Sequence, residues 1–300
     1  MPRVSIIIPY LHDDARLEAT LVSVLENRPS DCEILVVHDG SYTNPYQLED
    51  EVVLVDTDAG ATAVDLINAA LRASCAPFLH TLWPGIEVFD HWLEEALEEL
   101  EGSEAAAAAL GLELEGGGEI IGVHGNPYAC AAPWSSVLVS LDSTAPFGPL
   151  LHCAVYRRRV LLGLDGLPQT SVIGASLLTA AAIDALGFDT IACAPVGRTS
   201  SHVLACQSPA DLTAISQAVV AIHQQQPTFA QAARWLLSGL CTRRWTGALA
   251  WLAGSRTAHA LREDFERRID GAAKNLQGAP TISIPLPSPH HGEVPARRAA

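Results

Sequence analysis

The sequence predicts an α/β fold over residues 1–205, followed by an α-helical C-terminal region. Short β-branched runs alternate with stretches of helical periodicity in the first part, whereas only helical periodicity remains from Asp211 to Asp270. Composition agrees. Of the 300 residues 49% are apolar and 17% charged, enough to bury a sizeable core and to exclude wholesale disorder.

In chain order, Val4-Ser-Ile-Ile-Ile-Pro9 is a strand of the kind buried in a parallel sheet. Asp13–Asn27 reads as a helix, with Leu17, Leu21, Val24 and Leu25 at helical spacing. Glu33–Val37 is a second strand, stopped by the turn-forming His38-Asp39-Gly40-Ser41. Val52–Val55 is a third strand, Thr62–Ala73 a second helix, Pro77–Leu82 a fourth strand and His91–Leu100 a third helix. The rhythm is that of a sheet with crossover helices, whose ligands sit beyond the carboxyl ends of the strands. Here those ends are Pro9-Tyr10, His38–Ser41, Thr57-Asp58 and Leu82-Trp83-Pro84-Gly85. Glu101–Glu119, with its run of alanines and Gly116–Gly118, is expected to be a strand edge and loop. Leu150–Val155, a helix over Ser171–Leu186 and a strand over Thr190–Ala194 restore the α/β character. The helical region 206–277 breaks at Pro227, with Thr228 as an N-cap, and 278–300 reads as a flexible tail.

Charge narrows the function classes. Residues 1–120 carry 24 acids and 4 bases (−20), and residues 121–300 carry 10 acids and 14 bases (+4), giving the net −16. An acidic N-terminal part repels polyanions, so nucleic acid is not an expected partner. The single lysine, Lys274, follows no Gly-rich loop, which excludes a P-loop. Seven cysteines without a C-x-x-C pair argue against disulfides and zinc ribbons. With no room for a signal peptide before Val4 and no apolar stretch long enough to span a bilayer, a cytoplasmic location without a transmembrane segment is expected. The glutamates from Glu94 to Glu104 read as the solvated face of an amphipathic helix.

Six separated segments resemble family 2 glycosyltransferases. They are Val4–Pro9 with Asp13-Asp14, Leu21–Leu25, Glu33–Ser41, Asn68–Ala73, Cys153–Arg159 with Gly163–Gly166, and Ala185–Asp189 leading to His202. The resemblance spans about residues 3–205. It implies the GT-A fold, a Rossmann-like mixed sheet that binds a nucleotide-diphospho-sugar. Carried over by position, Pro9, Tyr10, Asp13, Asp39, Gly40, Ser41 and Asn68 would form the nucleotide site. His38 stands where the family usually has a first acid.

Two catalytic positions depart from the family. Its Asp-x-Asp holds a divalent cation on the diphosphate leaving group. Here that stretch is Leu82-Trp83-Pro84, and neither Leu nor Pro ligates a cation. Asp58 and Glu87 are the nearest acids in sequence, and His80 reads as core. The family's general base, commonly an acid at a helix start, falls in Ser171–Leu178, with no acid between Asp165 and Asp184. Asp165 belongs to the preceding turn and reads as structural.

The sequence therefore implies a degenerate glycosyltransferase-like protein with sugar transfer weakened or lost and no divalent metal expected. It would serve as a nucleotide- or glycan-binding partner in surface-polysaccharide biosynthesis. One alternative is an active metal-independent transferase using Arg157, Arg158, Arg159 or Arg198 at the diphosphate, since a guanidinium fork suits phosphate. The other is a non-catalytic interaction module. Gln231-Ala-Ala-Arg-Trp235 has the letters of a processive-synthase acceptor motif, but no membrane helices accompany it. For the Trp- and Arg-bearing stretch 234–253, packing on the sheet is favoured over contact with a membrane surface.

Overall fold

The computed structural model describes residues 1–45, 47–125, 128, 138–140, 146–204 and 208–277. The tail expected over 278–300 and the boundary expected at 205/206 lie outside them.

The N-terminal half builds β1 (Val4–Pro9), α1 (Asp14–Glu26), β2 (Cys32–His38), β3 (Val53–Asp56), α2 (Ala63–Ala73), β4 (Phe78–Leu82) and β5 (Ile86–Val88). β1 is the apolar run with every residue buried, as a strand covered on both faces must be. Asp13 caps α1 by accepting the Arg16 N–H at 3.1 Å. Thr62 and Asp65 close a reciprocal capping box on α2. Next come α3 (Glu94–Gly102), β6 (Ala107–Leu114), β7 (Glu119–Val123), β8 (Leu138–Ser140), β9 (Cys153–Arg157), α4 (Arg158–Gly163), α5 (Val172–Ala185) and β10 (Thr190–Thr199). The chain closes with α6 (Ser201–Leu204), α7 (Pro209–His223), α8 (Phe229–Cys241), α9 (Trp245–Gly254) and α10 (His259–Gln277).

The strands form one mixed sheet in the order β3-β2-β1-β4-β9-β6-β10-β5, with β7 and β8 continuing from β6. β3, β2, β1 and β4 are mutually parallel. β9 is antiparallel to both β4 and β6, and β10 is parallel to β6, so β10 runs the same way as β4. Two expectations change. The alanine run is not an edge: Ala107–Ala109 lie between β9 and β10, where small side chains let the covering layers approach. The strand expected to end at Ala194 continues to Thr199, through register shifts at Pro195, which has no N–H for the ladder.

The helical region shares the core of the sheet domain. Leu212, Ile215, Trp235, Trp251 and Ala272 belong to the same buried apolar body as β1 and β4. Thr228 caps α8, with Gln231 completing the box and also donating to the Tyr128 carbonyl at 2.9 Å. Trp235 and Trp251 are fully buried and meet edge to face at 5.7 Å, which gives Gln231–Trp235 a packing role. Trp245 differs, because half of it is exposed.

Candidate functional site

Parallel strands deliver their carboxyl ends to one edge, so Pro9-Tyr10, His38–Ser41, Asp56–Asp58 and Leu82–Gly85 come together there. At the β1–β2 ends Tyr10 is buried and lies 5.5 Å from His12 and 5.2 Å from Tyr42, ring to ring. The Tyr10 hydroxyl donates to Asp14 at 2.9 Å; burial and that bond push its pKa up. Asp39 is a carboxylate of this edge with only 10% of its side chain exposed. It accepts from the Ser41 hydroxyl and, at 3.2 Å, from the Gly60 N–H, and His12 Nε2 lies 3.4 Å away. Those partners, the Ser41 hydroxyl foremost, hold its carboxyl below the usual range.

His38 is buried at the end of β2, with Nδ1 3.2 Å from the Gly40 N–H and 3.3 Å from Asp56 Oδ1. One nitrogen cannot accept from the first and donate to the second. The backbone N–H can only donate, so Nδ1 accepts from Gly40, and the exposed Asp56 is left to water.

Asp13 and Asn68 serve local structure. Asp13 caps α1 and pairs with Arg16 Nε at 3.1 Å. Asn68 is buried and spans the Leu167 backbone, donating to its carbonyl at 3.0 Å and accepting its N–H at 2.7 Å. This clamp takes one N–H and one lone pair of the amide and gives Asn68 a structural role beside the nucleotide contact expected of it. Gly166 takes a left-handed φ of +79°, and a Cβ there would lie 2.5 Å from Asn68 Oδ1, so only glycine fits. Arg268 of α10 holds the same turn from outside, bonding the carbonyls of Leu164, Asp165 and Gly166 at 3.1, 3.1 and 3.2 Å.

The arginine cluster lies apart from this edge. Arg157 pairs with Phe78, the first residue of β4, so Arg157–Arg159 sit at the opposite edge of the sheet. The four-residue step from Phe78 to Leu82 puts them roughly 13 Å from the ligand edge. Arg157 Nε donates to the Ala105 carbonyl at 2.6 Å, its Nη2 reaches the carbonyls of Leu100 and Ser103, and the guanidinium lies 5.4 Å from the Phe78 ring. Arg158 bonds Ser74 Oγ at 3.0 Å, and Arg159 lies 3.6 Å from Glu104. Arg198 does lie at the ligand edge, near the end of β10, where it pairs with Glu87 at 3.3 Å.

At the end of β4, Leu82 and Trp83 are buried. The Trp83 N–H donates to the His152 carbonyl at 2.8 Å, and the two rings lie 4.6 Å apart. Burial pushes the His152 imidazole down to about 3. The Gly85 N–H turns back to Thr20 Oγ1 at 2.9 Å, and the Gly85 carbonyl accepts from Thr199 Oγ1 at 2.9 Å. This donor set of apolar side chains and spent backbone groups does not fit a divalent cation. Among the described residues no three His, Cys, Asp or Glu side chains converge in a metal-holding geometry. The first turn of α5 likewise has no acid; Ser171 caps it by accepting the Gly174 N–H at 3.2 Å. Asp65 approaches that end of α5, accepting from Gln169 at 2.8 Å, but its other oxygen serves the α2 cap.

Sequence reasoning missed His12, Tyr42 and His152. His12 and Tyr42 adjoin the quoted Pro9-Tyr10 and Asp39–Ser41 stretches, and that adjacency was the available signal. Nothing local marks His152 as a neighbour of Trp83, since they meet across β4 and β9.

No family model and no curated protein sequence matches the chain. Solved structures do. A mannosyltransferase from Pyrobaculum calidifontis, PcManGT, determined with GDP-Man and Mn²⁺, is 18% identical with a TM-score of 0.52, over 92% of this chain and 87% of that one. TarS residues 1–349 from S. aureus, with UDP, is 14% identical with a TM-score of 0.55, over 92% and 90%. GalNAc-T7, with UDP, GalNAc and Mn²⁺, is 14% identical with a TM-score of 0.58, over 89% of this chain and 54% of its own. The parallel sheet ends, the mixed order of strands and these neighbours together identify the fold as that of the GT-A glycosyltransferases.

Proposed function

We propose that this chain is a degenerate glycosyltransferase-like protein that binds a nucleoside-diphosphate sugar or a glycan at the β1–β2 edge. In this reading metal-dependent transfer is weakened or lost, and the protein acts as a binding partner in surface-polysaccharide synthesis. The observation that carries it is the end of β4, where Leu82 and Trp83 are packed into the core beside Pro84. Departure of a nucleoside diphosphate builds negative charge that a preorganised cation would offset by several kcal/mol, and no side chain there supplies it. Nucleotide recognition is supported by what remains: Asp39 as an ionised acceptor, with the Tyr10, Tyr42 and His12 rings beside it. The three neighbours were solved with GDP-Man or UDP, which directs the choice of ligands.

Metal-independent transfer is the second reading, and the arginine that would support it is Arg198 at the ligand edge, because Arg157–Arg159 occupy the other edge of the sheet. Calorimetric titration with UDP and GDP, with and without Mn²⁺, tests the reading, together with a donor screen scored by diphosphate release with metal and with EDTA. Binding unaffected by Mn²⁺ and lost in Asp39→Ala, without stimulated turnover, is expected. Metal-stimulated turnover that Asp39→Ala abolishes would overturn it.

A further inference from the structure

Among the described residues, the outer face of α8 and α9 is exposed, apolar and basic. Phe229 is 90% exposed, Leu237 and Leu240 63% each, Trp245 49% and Leu249 45%. On α8 the spacings of eight and three residues keep Phe229, Leu237 and Leu240 on one face, opposite the buried Trp235 and Gly239. On α9 Trp245 and Leu249 are one turn apart, facing away from the buried Ala248 and Trp251. The helices are joined by a tight turn, where the Arg244 N–H bonds the Gly239 carbonyl at 2.7 Å. Arg243 and Arg244 stand exposed on that turn, and neither makes an ion pair among the described residues.

The charge pattern selects the occupant. Between Asp211 and Glu263 the chain has five arginines and no acidic residue, although its net charge is −16. Exposed Trp, Phe and Leu flanked by arginines form the composition of a surface that lies in the headgroup layer of an anionic bilayer. α8 and α9 span 13 and 10 residues, and among the described residues no helix is long and apolar enough to cross a membrane. We infer that the α8–α9 face docks this protein on an anionic lipid surface, with Trp245, Leu240 and Leu237 inserted and Arg243 and Arg244 on the headgroups. The acid-rich residues 1–120 would be repelled by the same surface, so one orientation is favoured.

Flotation of the full chain with vesicles tests this, using phosphatidylcholine alone and an equal mixture with phosphatidylglycerol. Flotation is expected with the mixture only, weakening at high salt. Arg243→Gln with Arg244→Gln should lower the bound-to-free ratio about 25-fold, at roughly 5-fold per arginine. Leu240→Ser with Trp245→Ser should abolish flotation; both sites are exposed, and an unchanged melting temperature would confirm the fold. Trp245→Phe should still float but lose the vesicle-induced blue shift of tryptophan emission. Failure of the native chain to float, or flotation indifferent to both double substitutions, would overturn the inference. So would a concentration-dependent dimer, without flotation, that Leu240→Ser dissociates, since the face would then belong to a second copy.

Discussion

Replacing Asn68 by Ala separates a structural clamp from a nucleotide contact. The side chain makes two hydrogen bonds to Leu167, at 2.7 and 3.0 Å, joining α2 to a turn 99 residues away. Leu167 is fully buried, so truncation leaves its N–H and carbonyl without these partners. At about 1–3 kcal/mol for each unsatisfied buried group, the loss is about 4 kcal/mol. For a domain of this size that is a fall in melting temperature of about 6–8 °C. Gly166 supplies the control. Gly166→Ala combines left-handed strain with a contact to Asn68 Oδ1, but in the Asn68→Ala background only the strain remains. The double mutant should therefore be more stable than additivity predicts, by about 1 kcal/mol or more. Urea denaturation followed by circular dichroism measures all four chains. If Asn68→Ala kept its midpoint while UDP binding disappeared, the clamp argument would be refuted and Asn68 would return to the nucleotide site.

Arg157→Ala should cost about 3 kcal/mol through the loss of charged bonds to buried carbonyls, and should leave UDP affinity unchanged; an affinity loss at unchanged stability would contradict its placement. Burial holds His80 and His152 at about 3, against 6.5 for an unperturbed imidazole. Between those values the unfolded chain binds more protons, so stability is full above pH 6.5 and falls on acidification, by roughly 1.4 kcal/mol per unit for each histidine. Urea midpoints at pH 7 and pH 5.5 should show this slope, and His80→Leu should flatten it; a flat native profile would defeat the burial argument. A chain ending at Gln277 should keep its melting temperature, because residues 278–300 carry five prolines and few large apolar groups. Ending it before α10 should lower the melting temperature by several degrees, because Arg268 and its three carbonyl bonds are lost.

Much of this molecule was legible along the chain. Short continuous apolar runs and period-3.6 runs placed β1, α1, β2, α2 and β4 within a residue or two, because a strand covered on both faces must be apolar throughout and a helix lying on it along one stripe. Thr228 was a cap by its letters alone, since a hydroxyl before an apolar helical run meets N–H groups that lack partners. The absence of an acid from Leu82–Pro84 and from Ser171–Leu178 was also a property of the sequence, because no fold makes a carboxylate of leucine. Which strand end each residue reached was not. The antiparallel run of β9 carries Arg157–Arg159 to the far edge, and strand direction depends on pairing between distant segments. The clamp between Asn68 and Leu167 likewise joins residues 99 positions apart. The tryptophans make the division plainest. Trp235, Trp245 and Trp251 share composition and helical context, but α8 crossing α9 buries two rings against each other and leaves Trp245 half in water. Periodicity says that a helix has two faces; only the packing of its neighbours decides which of them meets solvent.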